Sequence, residues 1–392
     1  MKILIANPGS TSYKCKLYET SDMSVLFQGT VERIGDKNGI YSYKLSDKES
    51  IKKELEIKDY FQAVELTIDS LKEKYSIKDV DAVGFKTVHA KGVTGCTDLT
   101  NNVLKAMEDY RSLAPVHTDV YIKAITVFQK LLTSTPLIGL FETHFHVNIP
   151  EEAYLYGIPY QYYEKHGIRK YGFHGASHRY IGLRAKELIG ANKVISCHLG
   201  GSSSVCAIKD GWSIDTSMGM SPQSGLLNSN RVGDLDSYAL LYLMEKESMT
   251  IDDARDVLMS KSGLLGLSGG LSDFRDIEIK MNEGDEKAKR AFKTFAYYVK
   301  RYIGEYLVAL NGADCIAFTA GAGQKSPALR EEIIGGLENL GIKLDKAKNK
   351  ENIKEGLISL PESNIKIAVI PTNEEYIVAK EVEKYIQNKL GK

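Results

Sequence analysis

Short continuous apolar runs alternate along this chain with longer stretches whose apolar positions recur every three or four residues. Residues 80–88 and 137–141 are of the first kind and read as buried strands, whereas 61–75, 104–110 and 120–132 read as helices. The second half repeats the alternation. Residues 238–245, 251–260 and 286–310 carry helical spacing, and 316–319 and 365–370 are strand-like runs leading into glycines or Pro371. Strands alternating with helices predict an α/β class.

Two stretches share one further pattern. Residues 2–19, KILIANPGSTSYKCKLYE, begin with a β-branched run, meet an Asn-Pro-Gly-Ser turn and resume as an alternating strand. Residues 194–208, VISCHLGGSSSVCAI, have the same shape. Overlaid on residues 3–17 without a gap, they put Gly9 on Gly200, Ser12 on Ser203 and Cys15 on Cys206, an offset of 191 residues (194 − 3). Small residues crowd any turn, but the shared order of buried strand, Gly/Ser turn and second strand predicts two structurally similar halves. The halves are expected to pack with a ligand cleft between them.

Composition narrows the partners. The 392 residues are 43% hydrophobic and 26% charged, ordinary for a globular chain of two or three domains. With 51 basic and 51 acidic residues the net charge is zero, which argues against nucleic acid or an anionic membrane surface as main partner. Cysteines at 15, 96, 197, 206 and 315 form no CxxC pair and read as reduced thiols. No apolar run nears the ~18 residues of a membrane span. Asn7, Pro8 and Gly9 break the first apolar stretch too early for a signal peptide, so the expectation is a cytoplasmic protein.

Three turns follow strand-like runs and are rich in Gly, Ser or Thr: residues 9–12, 200–204 and 319–323. Such turns can aim backbone N–H groups and hydroxyls at phosphate oxygens, though each alone is also an ordinary hairpin turn. No G-x-x-x-x-G-K-[ST] stretch is present, and Gly321 and Gly323 lack the partners of a dinucleotide fingerprint. Histidines gather in Val116-His117, in Glu142-Thr143-His144-Phe145-His146 and in His174-Gly175-Ala176-Ser177-His178. Zinc is one reading of these spacings, but no third ligand is indicated and Gly175 interrupts the last pair. Hydrogen-bonded histidines near a cleft are the plainer reading, and a histidine donating to a phosphoryl group lies between the two. Asn373-Glu374-Glu375 follows a strand and a Pro-Thr turn, where carboxylates either complement a helix dipole or hold hydrated magnesium.

NPGSTS, APVH, FETHFH, YGFHGASH, CHLGGSSS, DTSMGMSP, NRVGDLD, SDFRD, FTAGAG and PTNEE occur in the order seen in acetate kinases, from residue 7 to residue 375. The chain resembles the acetate kinase family over essentially its whole length. That resemblance implies the duplicated actin-like (ribonuclease H-like) α/β fold, with one domain from residues 1–149 plus 376–392 and a nucleotide-binding domain from 150–375. It implies an ATP-dependent, Mg2+-requiring kinase that phosphorylates the carboxylate of a small organic acid, working as a homodimer whose halves close on substrate. Position by position, Asn7 and Glu374 would organise the metal. Arg231 would bind the acid and the transferring phosphoryl group, His174 would stabilise that group, and His117 would lie nearby. Val88, Val116, Phe173 and Pro222 match the acyl pocket. Lys14, His198, Gly200, Gly201, Ser202, Asp273, Phe274, Arg275, Gly321 and Gly323 match nucleotide-binding positions. A loose phosphoryl transition state needs alignment and positive charge on its oxygens, which Arg, His and magnesium supply.

Several positions depart from the family pattern. Lys86 stands for a catalytic arginine, keeping the charge without the planar fork. Glu142 stands for aspartate and reaches one methylene further. Gly201 replaces a phosphate-contacting asparagine, as in butyrate kinases, and Gln324-Lys325 replaces Glu-Asn. These changes raise the alternative of a longer or hydroxylated short acid such as propionate, butyrate or a 2-hydroxy acid. Further alternatives are a pyrophosphate donor, disfavoured by the Asp273-Phe274-Arg275 segment, and a non-catalytic actin-like nucleotide-binding protein. The charge-conserving changes at 86 and 142 argue against the last.

Overall fold

Ile3, Leu4, Ile5 and Ala6 are all buried, so the first strand is covered on both faces, as an all-apolar run requires. The computed structural model describes residues 1–46, 48–351 and 353–391. Its contacts divide the chain into two compact units, Met1–His144 with Asn373–Lys392, and Phe145–Thr372.

The first unit holds strands β1 (Lys2–Pro8), β2 (Ser12–Glu19), β3 (Ser24–Glu32), β4 (Gly39–Leu45), β5 (Ile51–Leu55), β6 (Ala82–Thr87), β7 (Cys96–Asp98) and β8 (Leu137–Phe141) in the order β5-β4-β3-β2-β1-β6-β8-β7. β1 pairs antiparallel with β2 and parallel with β6, and β6 pairs parallel with β8. The second unit holds β9 (Lys193–Leu199), β10 (Ser203–Lys209), β11 (Trp212–Thr216), β12 (Cys315–Thr319), β13 (Gly356–Leu357) and β14 (Lys366–Val369) in the order β11-β10-β9-β12-β14-β13. β9 pairs antiparallel with β10 and parallel with β12, and β12 pairs parallel with β14. Six strands of each unit, β3-β2-β1-β6-β8-β7 and β11-β10-β9-β12-β14-β13, therefore share one order and one set of directions, the duplication that the two hairpins foreshadow.

The ungapped overlay of those hairpins needs one correction. Pro8 pairs with Tyr13 across the first turn, but Leu199 pairs with Ser203 across the second. The second turn is one residue shorter. With the first strands superposed, Ser203 corresponds to Tyr13 and Val205 to Cys15, so the Ser12/Ser203 and Cys15/Cys206 matches do not hold.

Helix ends follow local chemistry. The Asp59 side chain accepts from Gln62 N at 3.0 Å and starts the helix Tyr60–Leu71. Pro115 at the first position starts the helix Pro115–Leu131 five residues earlier than its apolar spacing indicates. The long helix Glu286–Ala309 buries Phe292, Phe295, Val299, Tyr302, Ile303 and Tyr306, a stripe of three- and four-residue steps. The predicted helix 251–260 is instead an α-segment, Ile251–Asp256, followed by a π-helical turn, Val257–Lys261. The Ser262 hydroxyl takes the Val257 carbonyl at 2.7 Å and Val232 N takes that of Leu258 at 3.0 Å, which diverts the α-helical ladder.

Candidate active site

In the first unit the chemistry gathers at the carboxyl ends of the parallel strands, where α/β sheets commonly bind ligands. Ala6 lies beside Phe85, so the next residues, Asn7 and Lys86, emerge at one edge of the sheet. Thr87 lies beside Phe141, which puts Glu142 at that edge too. The helix Glu374–Lys389 begins there as well. Lys86 Nζ donates to Glu374 Oε2 at 2.6 Å and stands 3.6 Å from Glu142 Oε1. Burial works against the ammonium, but the charges of Glu374 and Glu142 outweigh it and hold the Lys86 pKa well above that of an ordinary lysine. The buried Tyr121 hydroxyl donates to Asn7 Oδ1 at 3.4 Å; burial pushes its pKa up, with the charges of Lys86, Glu142 and Glu374 also acting on it. Lys14 sits opposite Asn7 on β2, exposed. Val88 packs half-buried on the unit's core, whereas Val116 and His117 stand exposed on the first turn of their helix.

The second unit gathers four histidines. His174 is the N-cap of the helix Gly175–Ile189 and sits at φ +56°, a left-handed conformation that favours glycine. Its ring stacks on that of His198 at 4.2 Å. His174 Nδ1 lies 2.8 Å from Ser204 Oγ, and the same oxygen lies 2.7 Å from His178 Nε2. His178 Nδ1 lies 2.8 Å from Ser196 Oγ. His146 Nδ1 meets Ser213 Oγ at 2.8 Å and its Nε2 donates to the Phe173 carbonyl at 3.0 Å. Gly172 makes room for that ring, since a Cβ at its φ of +78° would come within 2.6 Å of His146. Among the described residues no group of three or more His, Cys, Asp or Glu is placed to hold a metal ion, so these histidines are hydrogen-bonded to hydroxyls and a carbonyl.

Burial keeps His146 neutral with a pKa of about 4, and does the same to His89 of the first unit. Both lie below the unfolded value of about 6.5, so the unfolded chain takes up protons first as pH falls. Stability is therefore complete above about pH 6.5 and declines down to about 4. Urea unfolding at about pH 7.5 and about pH 5 is expected to show a loss of about 2 kcal/mol per histidine.

The third cluster is a cavity of about 280 Å³ in the second unit, lined by Gly200, Gly201, Asp273, Phe274, Arg275 and Gly321 together with Ser229, Glu278, Ala322, Lys325 and Ser326. Thr319 pairs with His198, so β9 and β12 end side by side at this cavity. Asp273 caps the helix Phe274–Asn282 and grips Arg275 through Nε at 3.0 Å and Nη2 at 2.5 Å; that hydrogen bonding holds its pKa down to about 2. Phe274 rests on Phe292 and Phe295, each ring centre 5.4 Å away. Ser202 accepts from Arg231 Nη1 at 3.0 Å. Gly323 is buried behind the cavity wall, and Pro222 and Phe173 are buried in the same unit.

Two groups here have no signature in the sequence. Glu278 lines the cavity beside Lys325, which the sequence marks only as a departure from the family pattern, and Arg330 is 2% exposed. Arg330 Nη1 donates to the Gly323 and Gln324 carbonyls at 2.8 Å, while Nε and Nη2 donate to Asn349 at 2.8 and 3.0 Å. Burial lowers its pKa to about 10. Arg330→Met strands these carbonyls, and urea unfolding is expected to show a loss of about 3 kcal/mol, with a raised KM for nucleotide.

Two units of one strand order, each with polar residues at the carboxyl ends of its parallel strands, have the arrangement of a duplicated actin-like fold. Residues 2–380 match the Acetokinase family. The chain is 45% identical over 399 residues to the acetate kinase of Carboxydothermus hydrogenoformans, covering 99% of this chain and all of that one. It is similar to the crystal structure of Porphyromonas gingivalis acetate kinase, with a TM-score of 0.87 and 36% identity over 98% of this chain and 99% of that one. A propionate kinase from Francisella tularensis aligns with a TM-score of 0.89 and 34% identity over 97% of this chain and 98% of that one. The chain belongs to the acetokinase family.

Proposed function

We propose that this protein transfers the γ-phosphate of ATP to the carboxylate of acetate by direct, reversible in-line displacement, giving acyl phosphate and ADP. The observation that carries this is the convergence of Gly200, Gly201, Asp273, Phe274, Arg275 and Gly321 on one cavity. In this reading Lys14, His198, Ser202 and Gly323 complete the nucleotide site. Arg231 neutralises the acid and the phosphoryl oxygens, and His174 donates to the phosphoryl group, with His117 assisting. Lys86 and Glu142 orient the acid, and Val88, Val116, Phe173 and Pro222 stand at the positions of the family's acyl pocket.

Magnesium fits the first cluster. Hydrated magnesium takes one or two carboxylates plus phosphate oxygens and needs no all-protein cage. Glu374 and Glu142 already converge on one cation, the Lys86 ammonium, with Asn7 at the same edge. Asn7 and Glu374 would hold the ion, which when bound neutralises charge on the phosphates. Lys86 and Glu142 also favour a second reading, a longer or hydroxylated short acid, because a point charge grips a carboxylate with less planar selectivity than an arginine fork.

A homodimer accords with the helix Ser237–Lys246, which buries none of its residues and exposes Tyr238, Leu241 and Tyr242. The cytoplasm accords with the buried free thiols of Cys15, Cys197, Cys206 and Cys315. No helix among the described residues is long and apolar enough to cross a membrane. Hydroxamate trapping with ATP, magnesium and acetate, propionate, butyrate, lactate or glycerate tests the reading. Turnover led by acetate supports it, a lead by another acid supports the second reading, and silence across the panel refutes both.

A further inference from the structure

Ser204 Oγ lies between two imidazoles, 2.8 Å from His174 Nδ1 and 2.7 Å from His178 Nε2. A hydroxyl has one hydrogen, so it can donate to only one of these nitrogens and must accept from the other. The same logic links His178 to Ser196 at its far nitrogen. Four groups thus share three hydrogen bonds, and fixing the direction of one fixes all.

Ser196 sets that direction. Its side chain is fully buried in β9, and its one side-chain hydrogen bond among the described residues is to His178 Nδ1. If His178 donated to it, the Ser196 hydrogen would sit in the core without an acceptor, which buried hydroxyls avoid. We propose that Ser196, His178 and Ser204 form a one-way relay that fixes His174 as the neutral tautomer protonated at Nε2. Ser196 donates to His178 Nδ1, His178 donates from Nε2 to Ser204, and Ser204 donates to His174 Nδ1. His174 then presents an Nε2–H donor without needing a positive charge.

Two further observations agree. Burial holds the His178 pKa well below that of a free imidazole, so it has one proton to place. The ring of His198 stacks on His174 at 4.2 Å with 17° between planes, where two imidazolium charges would repel. His198 has its own chain: Thr372 Oγ1 donates to Ser177 Oγ at 2.8 Å, and Ser177 has its hydrogen left for His198 Nδ1 at 2.8 Å. Both stacked rings are thereby anchored at Nδ1 and protonated at Nε2. His178, Ser196 and Ser204 are positioning residues, because they act through His174. The inference deepens the kinase reading and rests on it for the use of that donor.

The test is side-chain 15N NMR of the full chain labelled at histidine, with no substrate present. The expected spectrum shows His174 unprotonated at Nδ1 and protonated at Nε2. Ser204→Ala, a small change in a buried strand, is expected to move much of His174 to the Nδ1–H form. It should lower kcat about tenfold while the KM for ATP stays within about twofold. Ser196→Ala, two hydrogen bonds away, is expected to mix the tautomers of both His178 and His174. Wild-type His174 protonated at Nδ1, or a Ser204→Ala spectrum identical to wild type, overturns the relay. Failure to phosphorylate any acid refutes the kinase reading separately, since the spectrum is read without turnover.

Discussion

Arg231→Ala is expected to lower kcat for acyl phosphate formation by about 10³-fold, the scale of losing an arginine that faces a transferring phosphoryl group. Stability is expected to stay within about 1 kcal/mol of wild type or to rise. Both halves of that result come from one feature. Burial pushes the Arg231 pKa below the ordinary arginine value, a sign that folding disfavours the charge where it sits. Its one side-chain hydrogen bond among the described residues engages a single donor, to Ser202, out of five. A desolvated guanidinium with so few protein acceptors is suited to an anionic ligand. Steady-state kinetics and urea melts of the same variant check both arms, and wild-type turnover would remove Arg231 from the mechanism. Arg231→Lys is expected to recover only part of the loss, because the ammonium lacks the fork that spans two oxygens.

Lys86→Met is expected to lower kcat/KM for the acid by at least about 10²-fold and to destabilise the chain by about 3 kcal/mol. Glu142 is 5% exposed and Glu374 18%, and Lys86 is the cation bridging them. Without it, one of two neighbouring carboxylates takes up a proton, so the stability loss should shrink as the pH is lowered toward the carboxylate range. Lys86→Arg keeps the charge and is expected to retain most of the stability. Thermal melts at two pH values read this out, and a pH-independent loss would place the effect in packing instead of charge.

The sequence reading and the structure agree where local rules decide. The buried run 137–141 is β8 to the residue, because five apolar residues flanked by turn-formers have one plausible use in an α/β chain. Within the YGFHGASH motif, His174 caps the helix Gly175–Ile189 and His178 lies buried in its first turns, with ring centres 6.3 Å apart. What stayed hidden is long-range. Lys86 and Glu374 are 288 residues apart, Arg330 meets carbonyls that any residue type supplies, and Ser204 is one serine in a run of three. No spacing rule marks a serine that must serve two rings at once. The helix 251–260 failed for a related reason, since a side chain and a distant backbone N–H took carbonyls that periodicity assigns to the helix.

The one-residue difference between the two hairpin turns bears on how the halves diverged. Side chains on a strand alternate faces, so a single inserted or deleted codon inside β2 or β10 would exchange core and solvent positions along the rest of the strand. At the turn between Leu199 and Ser203 the same event changes only the loop, provided the following strand re-registers as a whole. A gene doubled in one step can therefore lose its internal symmetry at a turn while both sheets survive. Alignments of one half against the other will misassign every face of the second strand unless a gap is opened there.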